Sequence, residues 1–353
     1  MTDLTPNQIK QTIKTEVTNL GFLLNGVTTP AQLESFPSYT QWIKAGYHAE
    51  MHYLAHPAAM EKRQDPSLIM SEVKSILVLG IPYPAPDQTK GLNIAAYARG
   101  TDYHDLIPQR LSGFHSWLEK TVRKPVLMRT FTDTAPILEK ALAVRAGVGW
   151  IGKNSLVINP TYGSFFFLTE VFLDLELPPD EPFTQDLCGE CSNCIDLCPT
   201  SAILTNRTIN SKRCLSYLTI EKKGAFTEKQ AKSIKESLFG CDQCQLVCPW
   251  NQKRYEDPSI PTLFQTDPNL LNLTREKLLA MTEEDFLNFF RHTPIWRTKR
   301  FGLLRNLLAL LANTGAAEDL SSLDDFINKE ENETLRMMAS NAQVNISKRL
   351  NIN

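Results

Sequence analysis

Apolar residues recur at helical spacing from Pro6 to Leu20, where Ile9, Ile13, Val17 and Leu20 share one face and Gly21 closes the segment. The next strong signal is continuous: Ser75-Ile-Leu-Val-Leu-Gly-Ile81, ended by Pro82 and Pro84, predicts a buried strand. Leu111, Phe114, Leu118 and Val122 restore the helical period over Pro108 to Val122, and Pro125 to Phe131 reads as a short strand. Asp133-Thr-Ala-Pro136 then predicts a helix opening, with Ile137, Leu138, Ala141, Leu142 and Arg145 following and Gly147 ending it. Leu156 to Ile158 and Gly163 to Leu173 predict two strands joined as a hairpin through Asn159-Pro-Thr-Tyr-Gly163.

A proline-rich stretch, Pro178-Pro-Asp-Glu-Pro182, reads as a linker. Beyond it Thr227-Glu-Lys-Gln230 fits a capping box, which predicts a helix through Ile234 and Leu238 up to Gly240. Past Pro258 and Pro261 the pattern is helical, over Thr274 to Met281, Thr282 to Arg291, Lys299 to Asn313 and Leu335 to Val344. The expected fold is thus a mixed α/β part over 1–178, a second module over 179–260 and a helical region over 261–353. Within the last, Thr298 to Gly315 resembles one HEAT-like repeat, without a second clear copy.

Composition changes this picture little. With 353 residues, 42% of them hydrophobic, the chain can bury large cores and reads as two or three domains. A formal charge of −2 gives no global nucleic-acid signature. Two local basic patches stand out, Trp296-Arg-Thr-Lys-Arg-Phe301 with Arg305, and Lys222-Lys223. The longest apolar run, Phe301 to Ala312, is interrupted by Arg305 and Asn306 and is too short for a bilayer. No basic, apolar signal segment follows Met1, so the expected setting is cytoplasmic.

The eight cysteines change it most, because all lie between Cys188 and Cys248. Cys188-x-x-Cys191-x-x-Cys194-x-x-x-Cys198-Pro199 is the bacterial ferredoxin run, whose fourth cysteine ligates the other cluster of a pair. Cys241-x-x-Cys244-x-x-x-Cys248-Pro249 repeats the ending, and Cys214 is the spare thiol that completes it. Two crossed [4Fe–4S] sets follow: Cys188, Cys191, Cys194 with Cys248, and Cys214, Cys241, Cys244 with Cys198. Disulfides would need an oxidising compartment, and structural zinc leaves no role for two Cys-Pro endings.

Other motifs are weaker. Gly147-Val-Gly149-Trp-Ile-Gly152 matches G-x-G-x-x-G but follows a helix and precedes a strand, the reverse of a dinucleotide site. With Lys153 it nearly makes a P-loop, except that Asn154 replaces the Mg²⁺-binding hydroxyl. Its glycines serve either a structural turn or a ligand cradle. Asp133, between a strand end and a helix start, is either an N-cap or an acid. His48, His52 and His56 are read as one helical face with no Glu to complete a zinc motif.

Taken together, Asp133-Thr-Ala-Pro, Ala146-Gly-Val-Gly-Trp-Ile-Gly-Lys-Asn-Ser155, Tyr162-Gly-Ser-Phe-Phe, both cysteine runs and Cys214-Leu-Ser-Tyr-Leu resemble the epoxyqueuosine reductase family over most of the chain. The resemblance implies a cobalamin-dependent, two-cluster oxidoreductase that reduces the epoxide of epoxyqueuosine at the tRNA wobble position. It also implies an α/β corrinoid-binding domain and a HEAT-like tail that contacts tRNA. An external low-potential donor would supply electrons to a monomer. Carried over by position, Asp133 is the proton donor, kept protonated by burial against the corrin. Arg63, Lys153, Ser216, Tyr217 and Asp242 join it as corrinoid contacts, and Tyr103, His104, Lys222 and Lys223 as tRNA contacts. Asp102-Tyr-His104 lacks the later glycine of a histidine-ligated corrinoid motif, so no histidine is expected on cobalt. Ala96, before Tyr97, stands where relatives often carry arginine. A corrinoid dehalogenase of small halides and a non-enzymatic electron carrier are the competing readings.

Overall fold

The computed structural model describes residues 4–85, 92–252 and 264–351. Eight strands occur among these: β1 (Leu24–Thr28), β2 (Ser75–Pro82), β3 (Asn93–Ile94), β4 (Met128–Phe131), β5 (Trp150–Ile151), β6 (Val157–Ile158), β7 (Phe166–Leu173) and β8 (Ser237–Phe239). Four form one antiparallel sheet in the order β1-β2-β7-β4. The continuous apolar run of β2 has a direct cause, since side chains alternate between faces and both faces of this sheet are covered. Leu77, Leu79 and Ile81 pack with Ile13, Val17, Phe114 and Leu118 on one side. Ile76 and Val78 pack with Leu142, Ala143 and Phe172 on the other.

The first helix, Pro6–Asn19, forms as its periodicity predicts, with Thr5 and Gln8 closing a capping box. The predicted Pro108–Val122 helix is instead two, Tyr103–Leu111 and Phe114–Val122, broken at Ser112–Gly113. Asp102 caps the earlier one, which carries Pro108 within it. No helix starts at Asp133: the segment bends through Pro136 and the helix is Glu139–Arg145. Nor does β6 pair with β7, although Asn159 and Gly163 do form a single antiparallel bridge. β6 pairs with β5, and β7 joins the main sheet.

Gly147 to Gly152 turns out to be a close-packed turn. Gly147 takes φ +76°, and a Cβ on Gly149 would lie 2.1 Å from the Ile158 carbonyl oxygen, so backbone occupies the space where a ligand cradle would open. The three histidines share no helix either. His48 sits in a turn, His52 begins a short 3₁₀ segment and His56 precedes the helix Pro57–Gln64.

The 178–182 stretch is pinned rather than loose. Asp180 accepts from Lys14 at 2.8 Å, from Lys10 at 3.1 Å and from the Val27 N–H at 2.8 Å. The capping box at Thr227 forms, but its helix ends at Ser233 and Ser237–Phe239 is strand β8, parallel to β3. That pairing, absent from the sequence expectations, joins the α/β part to the cysteine module. Ile94, Ala98, Leu238 and Phe239 then share one core with Leu303, Leu307, Leu311, Leu335 and Ile346 of the C-terminal helices. Those helices are Arg275–Ala280, Glu283–Phe290, Lys299–Thr314, Asp319–Lys329 and Glu333–Leu350. The helix at 319–329 was not expected. Pro258, Pro261 and the 260/261 division lie outside the described residues. Among the described residues no helix is long and apolar enough to cross a membrane.

Candidate functional site

Asp133 follows β4 with φ +52°, a left-handed conformation unlike the extended one of an N-cap, and the next helix starts only at Glu139. Two contacts fix it. The Tyr103 hydroxyl donates to Oδ2 at 3.0 Å, and the Asp133 backbone N–H donates to Glu139 Oε1 at 2.9 Å. Its side chain is 58% exposed rather than buried, with Arg297 Nη1 3.9 Å away.

The carboxyl opens onto a cavity of about 450 Å3. Tyr39, Tyr53, Leu54, Ile137, Leu138 and Ile220 give it apolar and aromatic walls, and Arg63, Asp133, Glu139, Glu221, Lys223 and Arg297 give it charge. Such a lining suits a large planar group with apolar faces and polar edges. Arg63 is 7% exposed, its guanidinium 5.6 Å from the Tyr39 ring centroid. Burial pushes the Tyr53 phenol up to about 12, and the charges of Glu221 and Asp133 add to the rise.

The other residues matched to corrinoid contacts lie outside this lining. Ser216 and Tyr217 sit on the helix Leu215–Ile220, whose last residue reaches the cavity. Tyr217 is buried, and its hydroxyl accepts the Glu50 N–H at 3.1 Å. Lys153 donates to the carbonyls of Gly189 at 2.7 Å and Cys191 at 3.0 Å, bracing the first cysteine loop. Asp242 is buried and accepts the Ala96 N–H at 2.7 Å. Burial raises its carboxyl to about 6 against the opposing pull of that N–H, Arg99 and Gln245.

The four residues matched to RNA contacts divide. Tyr103 is 8% exposed and its hydroxyl is engaged with Asp133. His104 stands between Asp102 Oδ1, 2.7 Å from Nδ1, and Arg297 Nη2, 2.6 Å from Nε2. Because the guanidinium can only donate, Nε2 accepts and Nδ1–H faces Asp102. Lys222 is tied to Glu50 at 2.5 Å, which leaves Lys223 as the freer ammonium on the cavity rim. Arg305 is not a surface cation at all. It is 1% exposed and donates to the carbonyls of Leu218, Lys222 and Gly224.

The cysteine thiols gather closely. Cys194 feels Cys188, Cys248 and Cys191, and Cys248 feels Cys188 and Cys191. Cys241 feels Cys214, Cys214 feels Cys198, and Cys244 feels Cys241, Cys214 and, from the first group, Cys194. All of these thiols thus lie near one another, and their division into two crossed sets is the one the spacing predicts. Burial first, then the other thiols, pushes Cys194, Cys244 and Cys248 up. Burial also raises Cys214, and Cys241 to about 11, each against backbone N–H groups that favour the thiolate. Cys198 is held below its ordinary range because the N–H groups of Thr200, Ala202 and Ile203 outweigh burial. Thiols crowded this way ionise readily only around a bound cation, and eight of them with two Cys-Pro endings fit two iron–sulfur clusters. Among the described residues no three His, Cys, Asp or Glu side chains close on a single metal ion. Trp150 Nε1 donates to Cys188 Sγ at 3.3 Å, and with Lys153 it makes the Gly147–Gly152 turn a brace for the first set.

Arg297, Glu139 and the two wall tyrosines were missed by sequence reasoning. Arg297 fell within a basic patch already visible, but nothing in the sequence showed that it crosses to Asp133.

Comparison with known proteins adds two family matches. Residues 187–251 match the family described as "4Fe-4S double cluster binding domain", and residues 63–134 match "Epoxyqueuosine reductase QueG, DUF1730". The epoxyqueuosine reductase of Pseudomonas aeruginosa is 39% identical over 87% of this chain and 86% of its own length. That of Cellulophaga algicola is 38% identical over 84% and 95%. Among solved structures, the epoxyqueuosine reductase of Streptococcus thermophilus is similar with a TM-score of 0.85 and 30% identity, covering 96% of this chain and 90% of that one. An epoxyqueuosine reductase holding an epoxyqueuosine-modified tRNA-Tyr stem loop is similar with a TM-score of 0.81 and 25% identity, over 97% and 100%.

Proposed function

The chain belongs to the epoxyqueuosine reductase family, and from that premise we propose that it reduces the epoxide of epoxyqueuosine in tRNA to the alkene of queuosine, with Asp133 as proton donor at the cavity. The observation that carries this reading is the placement of Asp133. Its carboxyl is held at the cavity wall by Tyr103 and its backbone by Glu139, with Arg297 3.9 Å away and Arg63 and Lys223 lining the same cavity.

Cysteines 188, 191, 194 and 248 would hold one [4Fe–4S] cluster and 198, 214, 241 and 244 the other. Arg63 and Asp133 would border cobalamin at the cavity, with Ser216 and Tyr217 in the adjoining helix. When bound, the clusters would supply one-electron transfer and cobalamin would supply the reducing equivalents for the epoxide. The chain's own residues handle substrate and proton. Tyr103 occupies Asp133 Oδ2, which leaves Oδ1 to carry the proton to the departing oxygen. Lys223 and Arg297 face the same opening and offer charge to tRNA phosphates, and His104 is positioned through Arg297. The division into a corrinoid-binding part (1–178), a cluster module (179–260) and a HEAT-like, tRNA-contacting region (261–353) belongs to the same reading. So do an external low-potential donor, a monomeric state and a cytoplasmic setting.

The test is anaerobic incubation of the reduced protein with epoxyqueuosine-containing tRNA, with and without cobalamin, followed by digestion to nucleosides and mass spectrometry. Queuosine formed only with cobalamin is the expected result. Unchanged epoxyqueuosine in the presence of both cofactors contradicts it.

A further inference from the structure

Glu170 lies at the centre of β7, opposite Val78 of β2 and Phe131 of β4, and is fully buried. Neither of its carboxyl oxygens has a hydrogen-bond donor placed on it among the described residues. A bare carboxylate in the middle of a covered sheet is costly, so the group must be neutral or share a proton. Its polar neighbour is the carboxyl of Glu139, within hydrogen-bonding reach. Two carboxyls make a hydrogen bond only if one of them is protonated. Glu139 in turn borders the cavity beside Asp133 and accepts the Asp133 N–H at 2.9 Å. A line of carboxyl groups therefore runs from the sheet interior to the cavity wall.

The proposed reaction needs a second proton. Removing an epoxide oxygen breaks both carbon–oxygen bonds, forms one carbon–carbon double bond and releases water, which consumes two electrons and two protons. The electrons come from the external one-electron donor by way of the clusters. Asp133 carries only one proton. We propose that Glu170 and Glu139 hold a shared proton reserve that recharges Asp133 across the cavity both Glu139 and Asp133 line, so that the second proton of each turnover enters by this pair. The inference rests on the epoxide reduction proposed above, and Glu139 acts through Asp133 as a relay and positioning residue.

The electrostatics agree with the geometry. Burial, reinforced by the charges of Glu139 and Asp133, pushes Glu170 well above the carboxylate range, so it stays neutral and donates to Glu139. Burial and the charge of Asp133 raise Glu139 to about 7, against the Asp133 N–H, Lys140 and the hydrogen bond from Glu170. The groups bearing on the pair are thus Asp133 from the loop after β4 and Lys140 beside Glu139, whose ammonium donates to the Ser155 carbonyl at 2.8 Å.

Two measurements on the holoenzyme test this. Infrared difference spectroscopy at neutral pH should show the C=O stretch of a neutral carboxyl that is absent from Glu170→Gln; an identical spectrum overturns the shared proton whether or not the enzyme turns over. In kinetics, wild-type kcat should fall as pH rises through about 7, where Glu139 loses its proton. Glu139→Gln keeps an oxygen for the Asp133 N–H but cannot relay. It should lower kcat by about tenfold or more, leave KM for tRNA unchanged and abolish that alkaline fall. Iron content and thermal midpoint like wild type certify that the variant is folded, and Glu139→Asp should recover part of kcat. An unaltered kcat and pH profile in folded Glu139→Gln overturns the relay. Failure of wild type to form queuosine would sink the function instead, and the infrared result would still stand on its own.

Discussion

At Asp133 the backbone conformation and two hydrogen bonds decide what the side chain does. The left-handed φ removes the cap, because the helix begins only at Glu139. Replacing Asp133 with Asn preserves shape and the Tyr103 contact but removes the transferable proton. The expected outcome is a protein with unchanged iron and cobalamin content and no queuosine by mass spectrometry. Tyr103→Phe deletes one hydrogen bond to a charged group, worth about 1.5–3 kcal/mol. Lost in the transition state, that corresponds to a fall in kcat of about 10- to 100-fold, with the KM for tRNA unmoved. A raised KM with unchanged kcat would mean that Tyr103 serves RNA binding, as its position in the family pattern had implied. Cysteine spacing was the most legible feature at this scale, since ligand sets depend on local runs. Glu139, Glu170 and Arg297 were invisible because their roles arise from neighbours 31, 37 and 164 residues distant: Glu170 from Glu139, Glu170 from Asp133, and Arg297 from Asp133.

Elements with one dominant pattern were readable and those shaped by tertiary pairing were not. The run in β2 is apolar on both faces and formed as expected. Leu238 carries helical spacing from Ile234, yet pairing with β3 draws Ser237–Phe239 into a strand, a case of tertiary context overriding local preference. The helix Lys299–Thr314 was placed correctly, but Arg305 within it was assigned to a surface patch. It is instead a buried fork that fastens the C-terminal helices to the segment after Cys214, with its guanidinium also 4.2 Å from the Phe226 ring centroid. Arg305→Met leaves the carbonyls of Leu218, Lys222 and Gly224 without that donor. Each uncompensated carbonyl costs roughly 1 kcal/mol or more. A lower denaturation midpoint is the expected measurement, and a midpoint equal to wild type would show that the fork is dispensable.

Across the whole molecule, contacts between distant segments hold the parts in register. Asp180 joins the 178–182 stretch to the first helix and to β1. Burial works against its charge, but Lys14, the Val27 N–H and Lys10 outweigh burial and hold the carboxyl below its ordinary range. A depressed native value means the unfolded chain binds the proton more tightly, so the contribution is present above the unfolded value of roughly 3.9 and is lost as pH falls through the native one. Asp180→Asn should therefore be less stable than wild type at neutral pH, with the difference shrinking in acid when unfolding midpoints are compared. The mixed α/β character of the fold and the cysteine-rich stretch were visible in pattern and spacing. The β3–β8 pairing and the core shared by residues near 94, 239 and 307 were not, because no local pattern encodes them.

The account's central claim is that thiolates from both cysteine runs are shared between two clusters that serve the Asp133 cavity. Anaerobic iron and sulfide analysis combined with EPR of the dithionite-reduced protein tests it most directly. About eight iron and eight sulfide per chain, with signals from two interacting clusters, is the predicted result. About four iron per chain, or zinc in place of iron, would contradict it.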